Sequence, residues 1–300
     1  MIRQKGVALV LVLWVVTLLS VIAGNFAFSM RGEAQIARNL LSTAQAQAQA
    51  DGGIQRAWYE MMKLPTEPNR WMGDGSVHEQ RLEGGLLRIF IQDESGKIDL
   101  NTASEALLTG LFRSVGVGAE AAAALVDSVQ DWRDADKLRR LNGAEEAEYL
   151  AAGKTYAPSN APFETVDELQ RVLGMTPDLF RLVEPALTVY SKQPGINTAV
   201  APSSALLAIP GVNPEMVSQY LVLRQSAADA QQPAPVFVGA GTFASGPSGV
   251  LVYAARSEVK MLNGTVFVRQ AIARISRDPR RPVTLLAWGE GDGEPSSGKK

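Results

Sequence analysis

A nearly unbroken apolar run close to the start of the chain is its strongest hydrophobic pattern. From residue 7 to residue 23 one threonine and one serine are the only polar residues, and milder residues continue to Met30. Since a bilayer core needs about 20 apolar residues in a helix, the run is just long enough to span a membrane. Arg3 and Lys5 lie before it, which predicts a single pass with the N-terminus in the cytoplasm.

A helical pattern continues beyond the apolar run. Residues 30–62 are rich in Ala, Gln, Glu and Arg, which favour helices, and apolar or small residues recur in them at near-helical spacing. Gly52-Gly53 is the one strong interruption, and no proline occurs before Pro65. We therefore predict one helix from Val7 to about Leu64, roughly 85 Å long at 1.5 Å per residue, whose outer half packs on a globular head.

Runs rich in β-branched residues predict an antiparallel sheet whose strands form two widely separated groups. In the early group, residues 86–91 and 97–100 flank a turn at 93–96 and are predicted to form a β-hairpin. The late group has three predicted strands, at residues 250–255, 266–275 and 283–288. Asn263-Gly264, between the first two of these, is a strong hairpin signal, and residues 278–282 are the next predicted turn.

The region between the strand groups, residues 101–225, is predicted to be helical and repeats one pattern three times. Each unit has a short helix, an apolar-Gly-apolar turn and a second helix, and the glycine supplies the conformation that the turn needs. The turns are centred on Gly116, Gly174 and Gly211. Asn101-Thr102 and Asn197-Thr198 precede helices and are good N-cap candidates. The pattern resembles the helix-hairpin-helix or SAM-like fold.

Composition excludes several classes of function. The net charge of −2 leaves no basic field for nucleic acid, and the lack of cysteine excludes disulfides and thiolate metal sites. His78 is the one histidine in the sequence, so neither a usual zinc site nor a Ser–His nucleophile pair has support. We predict that the chain is not an enzyme.

The residues just before the apolar run have a family likeness. The order Lys5-Gly6-Val7 resembles the leader of type IV pilins and pseudopilins. The resemblance implies that a prepilin peptidase cleaves after Gly6, and that Val7 becomes an N-methylated N-terminus still attached to the apolar helix. An ordinary signal peptide that ends near Ala23-Gly24-Asn25 is the competing interpretation.

DNA binding is a rival function, because helix-hairpin-helix turns can bind phosphates through backbone N–H groups. The flanking stretches 127–136 and 145–148 are acidic, however, and no Lys/Arg cluster follows the hairpin glycines. We therefore predict no nucleic-acid partner. Two alternatives stay open: a membrane-anchored structural adaptor with a SAM-like domain, and a minor pilin of a type IV pilus or DNA-uptake system.

The centre of the chain carries the most specific resemblance. It rests on the stretches 131–136 (DWRDAD), 142–149 (NGAEEAEY), 160–163 (NAPF) and 166–169 (VDEL). These are similar to the minor pseudopilin K family of bacterial type II secretion, and the likeness extends over nearly the whole chain. It implies an α+β fold, in which a pilin-like long N-terminal helix with an antiparallel sheet is interrupted by a large α-helical insert.

The resemblance also implies a function, a location and partners. Minor pseudopilins K, I and J form a tip complex that initiates a short periplasmic pseudopilus, and this filament helps to export folded proteins across the outer membrane. The expected partners are minor pseudopilins I and J, the major pseudopilin, the prepilin peptidase and the inner membrane. Counted from Val7, the fifth residue is Leu11, where major pilins carry a glutamate that needs a partner's ammonium group. Its absence favours a terminal position.

The acidic central block supports a calcium hypothesis. Calcium takes six to eight oxygen ligands, and the family resemblance implies calcium in this helical domain. The best candidate ligands are Asp134, Asp136, Glu145 and Glu146, with Asp131, Asn142 and Asn160 as further candidates. A solvated acidic loop is the alternative, and the basic residues Lys137, Arg139 and Arg140 put one of the metal sites in doubt.

These patterns together predict the domain limits. In chain order they are a prepilin leader at 1–6, a transmembrane assembly helix at 7–30, the helix spine and first strands at 31–100, the insert at 101–225, a flexible loop at 226–249, the final strands at 250–288 and a disordered tail at 289–300. The loop is rich in Ala, Gln, Pro, Gly and Ser, and the tail is polar.

Overall fold

One long helix, α1 (Val7–Met62), begins the described part of the chain. The computed structural model describes residues 7–64, 67 and 69–291. The predicted leader at 1–6 and the tail residues 292–300 lie outside the described residues. The helix confirms its prediction almost to the last turn. Its first half is exposed, and burial begins at Ser42.

The outer half of α1 packs on a five-stranded antiparallel sheet. The strands of the described residues are β1 (Asp74–Leu82), β2 (Gly85–Asp93), β3 (Ile98–Asp99), β4 (Leu187–Thr188), β5 (Leu251–Met261), β6 (Val266–Ile275) and β7 (Val283–Glu290). The order in the large sheet is β1-β2-β5-β6-β7, while β3 and β4 form a small parallel pair. Ile54, Trp58, Ile89 and Val259 are central to the core between α1 and the sheet. The three late strands and the Asn263-Gly264 turn confirm their predictions, but β7 runs on to Glu290, so residues 289 and 290 are not part of a disordered tail as predicted.

The early hairpin was predicted wrongly. β2 pairs with β1 through a turn at Gly84, whose φ is +87°, and not with residues 97–100. Residues 94–96 form a 3-10 turn, after which β3 pairs with β4, far along the chain. Local pattern does not reveal such a distant partner, and β1 has too few apolar residues to stand out in the sequence.

The insert is helical apart from β3 and β4. Its described helices are α2 (Glu105–Ser114), α3 (Ala119–Arg133), α4 (Glu146–Ala151), α5 (Pro177–Val183), α6 (Ser203–Leu207) and α7 (Pro214–Asp229). Shorter 3-10 segments lie at 166–171, 184–186 and 238–243. The insert has its own core, which includes Phe112, Trp132, Tyr149 and Leu206. Since β3 pairs within it, the insert begins close to residue 94 and not at 101.

The predicted helix-hairpin-helix units are present. Gly116, Gly174 and Gly211 separate their paired helical segments with φ of +92°, +88° and +84°, the left-handed region that favours glycine. Side-chain N-caps are made by Ser104 on α2, Thr176 on α5 and Asn213 on α7.

The two asparagines predicted as N-caps join distant segments instead. Asn101 exchanges hydrogen bonds of 3.0 and 2.7 Å with the backbone of Phe163. Asn197 donates from its side chain to Ser95 Oγ at 3.2 Å and from its backbone N–H to the Ser95 carbonyl at 2.8 Å. These contacts tie the start of the insert to its later segments, so the predicted capping role was wrong.

The insert is fastened to the sheet where β2 ends. Gln92 Nε2 donates to the Val200 carbonyl at 2.8 Å. Gly96 lies so close to the same carbonyl that a Cβ there would stand 2.7 Å from its oxygen. The side-chain hydrogen bond therefore joins the sheet to the insert, and the close backbone contact holds the start of the insert against its later part.

The position of the insert along α1 follows from contacts at the two ends of the sheet. Near the apolar segment, Ser42 Oγ lies 2.9 Å from Thr265 Oγ1 in the β5–β6 turn. At the other end, the Asp93 N–H donates at 2.7 Å to the carbonyl of Gly73, in the segment that joins α1 to β1. The insert follows Asp93, so it leaves the head at the end farther from the apolar segment.

The segment predicted as a flexible loop, residues 226–249, packs on the insert. α7 runs into this segment and a 3-10 helix follows. Phe237 is buried, with its ring centroid 4.7 Å from that of Tyr220, and Ala244 forms a bridge with Ile196. Phe237, Ala240 and Phe243 pack on the insert core in a stretch made mostly of small and polar residues, which is why composition alone predicted a loop.

Candidate functional site

The exposed half of α1 is the first candidate site. Among the described residues, α1 is the one helix long and apolar enough to cross a membrane, and the rest of the protein buries none of its most apolar stretch. Leu11 is exposed on it, and the first acidic residue of α1 is Glu33. The predicted cleavage site is only half described, since Val7 begins the helix and Gly6 lies outside the described residues.

The outer half of α1 lies close against the sheet at Gly53. A Cβ at Gly53 would lie 2.2 Å from Ser257 Oγ and 3.1 Å from Leu87 Cδ1, whereas a Cβ at Gly52 would meet open space. The glycine pair that interrupts the helical pattern therefore does not break the helix. It lets β5 come into contact with the backbone of α1.

The loop between α3 and α4 is the second candidate site, and Asp131 anchors it. Asp131 is fully buried in the last turn of α3. Its carboxylate accepts the Arg140 backbone N–H at 3.3 Å. A Cβ at Gly143 would lie only 2.0 Å from Asp131 Oδ2, so a glycine is required for the loop to close over this carboxylate.

Three predicted ligands bring unpaired oxygens to this loop. Asp134 Oδ1, Glu145 Oε1 and Asn160 Oδ1 are buried without a hydrogen-bond partner. Burial, and then the charge of Asp136, raises the pKa of Asp134. Burial, and then the charges of Asp131 and Asp134, raises the pKa of Glu145. A hard cation would satisfy these oxygens and offset their mutual repulsion, so the donor chemistry fits calcium.

The remaining carboxylates of the predicted set are more exposed. Glu146 lines a pocket of about 540 Å³ together with Glu145, Asn160 and Lys137. Asp136 is exposed and accepts a backbone hydrogen bond within the loop. Within the described ranges, no three Asp, Glu or His side chains are grouped so as to hold a metal. A calcium ion here would therefore draw on amide, backbone and water oxygens as well.

The other polar residues of the loop have partners that sequence reasoning missed. The pairs are Arg139–Glu148 at 3.2 Å, Arg140–Glu105 at 2.8 Å and Asn142–Asp127 at 3.0 Å. Arg140 also approaches Asp131, at 3.8 Å. Both arginines thus pair with other carboxylates and leave Asp134 Oδ1 and Glu145 Oε1 without a partner. Glu105 and Asp127 were not among the predicted ligands, because they lie on α2 and α3, outside the loop.

An exposed, membrane-length helix whose outer half packs on an antiparallel sheet defines a pilin-like subunit. In this subunit a helical insert separates the early strands from the late ones. Nothing in the arrangement of the two candidate sites is a catalytic constellation, since one is an apolar helix and the other an acidic loop anchored by its own backbone.

Comparisons with known proteins place the subunit more narrowly. The family described as Type II secretion system (T2SS), protein K matches residues 87–195, from within β2 to just past β4. Type II secretion system protein K of Pseudomonas aeruginosa is 26% identical over 232 residues, which cover 70% of this chain and 69% of that protein. The protein of the same description from Klebsiella pneumoniae is 26% identical over 229 residues, covering 69% and 70%.

A solved structure confirms the fold. A chain in the crystal structure of the GspK-GspI-GspJ complex from the enterotoxigenic Escherichia coli type 2 secretion system superposes with a TM-score of 0.62 at 18% identity. The match covers 85% of this chain and 99% of that chain. The helix, sheet and insert thus recur together in that structure.

These matches confirm the similarity to the type II secretion system protein K family that the sequence predicted. Proteins of this family are structural subunits of a secretion machine. The match to this family therefore confirms the prediction that the chain is not an enzyme.

Proposed function

We propose that this protein is the minor pseudopilin at the tip of a type II secretion pseudopilus, where it initiates assembly and helps to export folded proteins across the outer membrane. The position of the insert is the observation that carries the proposal. The insert follows Asp93, at the end of the head farther from the apolar segment of α1. In a filament whose subunits stack along their α1 helices, a bulky unit at that end leaves no room for another subunit above it.

Leu11 supports the same terminal place. A carboxylate among apolar helices is costly unless it is paired with a positive group. Leu11 carries no charge and makes no such demand on a neighbour. The subunit can therefore enter an assembly without the pairing that a glutamate at this position would require.

Partners and location follow from the same proposal. The solved relative comes from a complex of three proteins, GspK, GspI and GspJ, and we assign minor pseudopilins I and J as partners of this chain. The major pseudopilin lies below this tip complex. Before assembly, α1 spans the inner membrane with the N-terminus in the cytoplasm and the head in the periplasm.

Co-purification tests this function. When the full chain is expressed with the I- and J-type pseudopilins of its own organism, the three are expected to elute as one complex in equal amounts. The major pseudopilin, expressed in place of I and J, serves as the control and is expected to be retained weakly. Elution of this chain alone in the presence of I and J would contradict the proposal.

Processing of the N-terminus gives a separate prediction. Cleavage after Gly6 removes Arg3 and Lys5, so the mature chain begins with the apolar helix itself. Intact-mass spectrometry of protein from a host with prepilin peptidase is expected to show Val7 at the N-terminus, carrying one methyl group. The same host without the peptidase is the control and is expected to retain residues 1–6. Retention in both hosts would refute processing, and cleavage near Ala23 would favour a signal peptide.

We propose calcium as the structural ion of the acidic loop, supported by the unpaired oxygens of Asp134, Glu145 and Asn160. The ion would supply positive charge to oxygens that have no hydrogen-bond donor, and would hold α3 and α4 together across the loop. Asp136 and Glu146 are nearby carboxylates that can take part directly or through water. Asp131 contributes by closing the loop, since its carboxylate accepts the Arg140 N–H.

Calcium is therefore expected to stabilise the insert. Adding calcium to chelator-treated protein, at about 100 times its Kd, is expected to raise the free energy of unfolding by about 2.7 kcal/mol and the Tm by roughly 5–10 °C. The double variant Asp134→Asn, Glu145→Gln is expected to lose this gain. Glu164→Gln, an exposed glutamate outside the loop, is the matched control and keeps it. If calorimetry shows no heat of binding and calcium does not change the Tm, the calcium proposal is wrong and the segment is a solvated acidic loop.

A further inference from the structure

The outer edge of the large sheet is β7, which pairs with β6 and with no other described strand. An edge strand presents a row of unpaired backbone N–H and C=O groups to which another chain can add a strand. Proteins usually protect such edges with charged side chains, proline, bulges or a covering segment. The two edges of this sheet, β1 and β7, differ in this protection.

The two edge strands differ in the number of charged residues that they carry. β1 has polar or charged residues along most of its length, among them Glu79 and Arg81. β7 has the sequence VTLLAWGE, with no charge before Glu290 and no proline. Leu285 and Trp288 on β7 are 51% and 42% exposed. Each of these edge pairings contains one register shift, so regularity does not distinguish them.

The charged residues near β7 lie at its two ends. The turn that leads into the strand carries the exposed residues Arg277, Arg280 and Arg281. Asp278 is the acidic residue among them, and its carboxylate accepts the Arg280 backbone N–H at 2.9 Å. Glu290 closes the strand at the opposite end. A strand with an acidic residue beside the arginine turn complements this edge, and a basic one is repelled.

The β7 edge is also linked to the outer half of α1. Arg269 on β6 connects the two, because its Nε is 2.6 Å from Asp51 Oδ1 on α1. The guanidinium of the same Arg269 lies 5.1 Å from the centroid of the Trp288 ring on β7. A subunit that packs along α1 therefore reaches β7 as well.

We infer that the β7 edge binds an extended strand of a neighbouring pseudopilin subunit. The strand adds to the sheet through backbone hydrogen bonds, places apolar side chains against Leu285 and Trp288, and carries an acidic residue beside Arg280 and Arg281. This inference rests on the proposed function, because the partner is a subunit of the same filament.

Hydrogen exchange of the wild-type full chain, alone and in complex with its I- and J-type pseudopilins, tests the inference. The amides of residues 283–290 are expected to exchange at least about tenfold more slowly in the complex, and those of residues 74–82 at an unchanged rate. Unchanged exchange at 283–290 in a complex that does form would overturn the β7 inference alone. Failure of the complex to form would overturn the proposed function as well. Protection that grows with the concentration of the isolated chain would assign the edge to a second copy and reject a neighbouring subunit.

A matched pair of variants gives an independent check. Leu285→Lys puts a charge on the β7 edge, and Val77→Lys makes the same change on β1, where Val77 is 48% exposed. Leu285→Lys is expected to reduce retention of the partner subunits by about tenfold or more, since edge charges block strand addition. Val77→Lys is expected to leave retention unchanged, with the Tm of both variants close to wild type. Equal retention by the two variants would contradict the inference.

Discussion

Trp132→Ala is expected to destabilise the insert by about 3–5 kcal/mol, the usual cost of truncating a buried tryptophan. Trp132 is 1% exposed, and its ring centroid lies 6.2 Å from that of Tyr149 and 6.0 Å from that of Phe163. These three rings join α3, α4 and the segment after the acidic loop, so alanine leaves a cavity where three parts of the insert meet. Thermal unfolding should show a fall in Tm of roughly 6–20 °C.

Calcium binding by the acidic loop is a second property to measure on the Trp132→Ala variant. Asp131 and Asp134 lie on either side of Trp132, so loss of the ring is expected to weaken calcium binding along with stability. Leu141→Ala, at a residue of the loop that is 87% exposed, is the matched control and should change the free energy of unfolding by less than about 0.5 kcal/mol. A loss below about 1 kcal/mol for Trp132→Ala would mean that the ring is not a core anchor.

Gly53→Ala is expected to destabilise the head, even though alanine favours helices over glycine by about 1 kcal/mol. The new Cβ would stand 2.2 Å from Ser257 Oγ and 3.1 Å from Leu87 Cδ1. Overpacking of this kind costs about 1–3 kcal/mol, and Ser257 is fully buried. The expected result is a net loss of up to about 2 kcal/mol and a weaker hold of the sheet on α1.

Gly52→Ala is the matched control for this prediction. It makes the same change one residue earlier, where a Cβ meets open space, and it is expected to stabilise the helix by up to about 1 kcal/mol. Chemical denaturation of both variants measures the difference. If the two variants have the same stability, the close approach of α1 and β5 at Gly53 does not control how the head is held. Ser257→Gly, combined with Gly53→Ala, should restore part of the loss.

Local signals in the sequence were sufficient for much of the fold. The long helix was predictable from its apolar run and helix-forming residues, and the β5–β6 hairpin from Asn263-Gly264. The three hairpin glycines were predictable because each needs a positive φ. In these cases the residues that specify the element lie within it or next to it.

Elements that depend on distant partners were not predictable in the same way. β3 is a strand only because β4 lies beside it, and Asn101 is used by the backbone of Phe163 and not by the nearest helix. The segment after α7 is ordered by side chains that pack on the insert core, among them Phe237 and Ala240. Three-dimensional packing decides these outcomes, and it outweighs local preference.

The candidate sites also contain some features that local sequence predicts and others that depend on distant contacts. The apolar assembly helix could be predicted from its composition, as could the density of carboxylates in the acidic loop. The sequence did not predict which of the candidate ligands lack a hydrogen-bond partner. Asp131 accepts a hydrogen bond from the loop backbone, and Asn142 bonds to Asp127. The unpaired oxygens of Asp134 and Glu145 emerge only once the loop is folded.

The position of this subunit in assembled filaments is the most direct test of its proposed role. An epitope label added after Lys300 and viewed by electron microscopy on isolated pseudopili would report that position. A tip subunit places label at one end of each filament, in amounts far below those of the major pseudopilin. Label distributed along the filament, at a stoichiometry near that of the major subunit, would contradict the account.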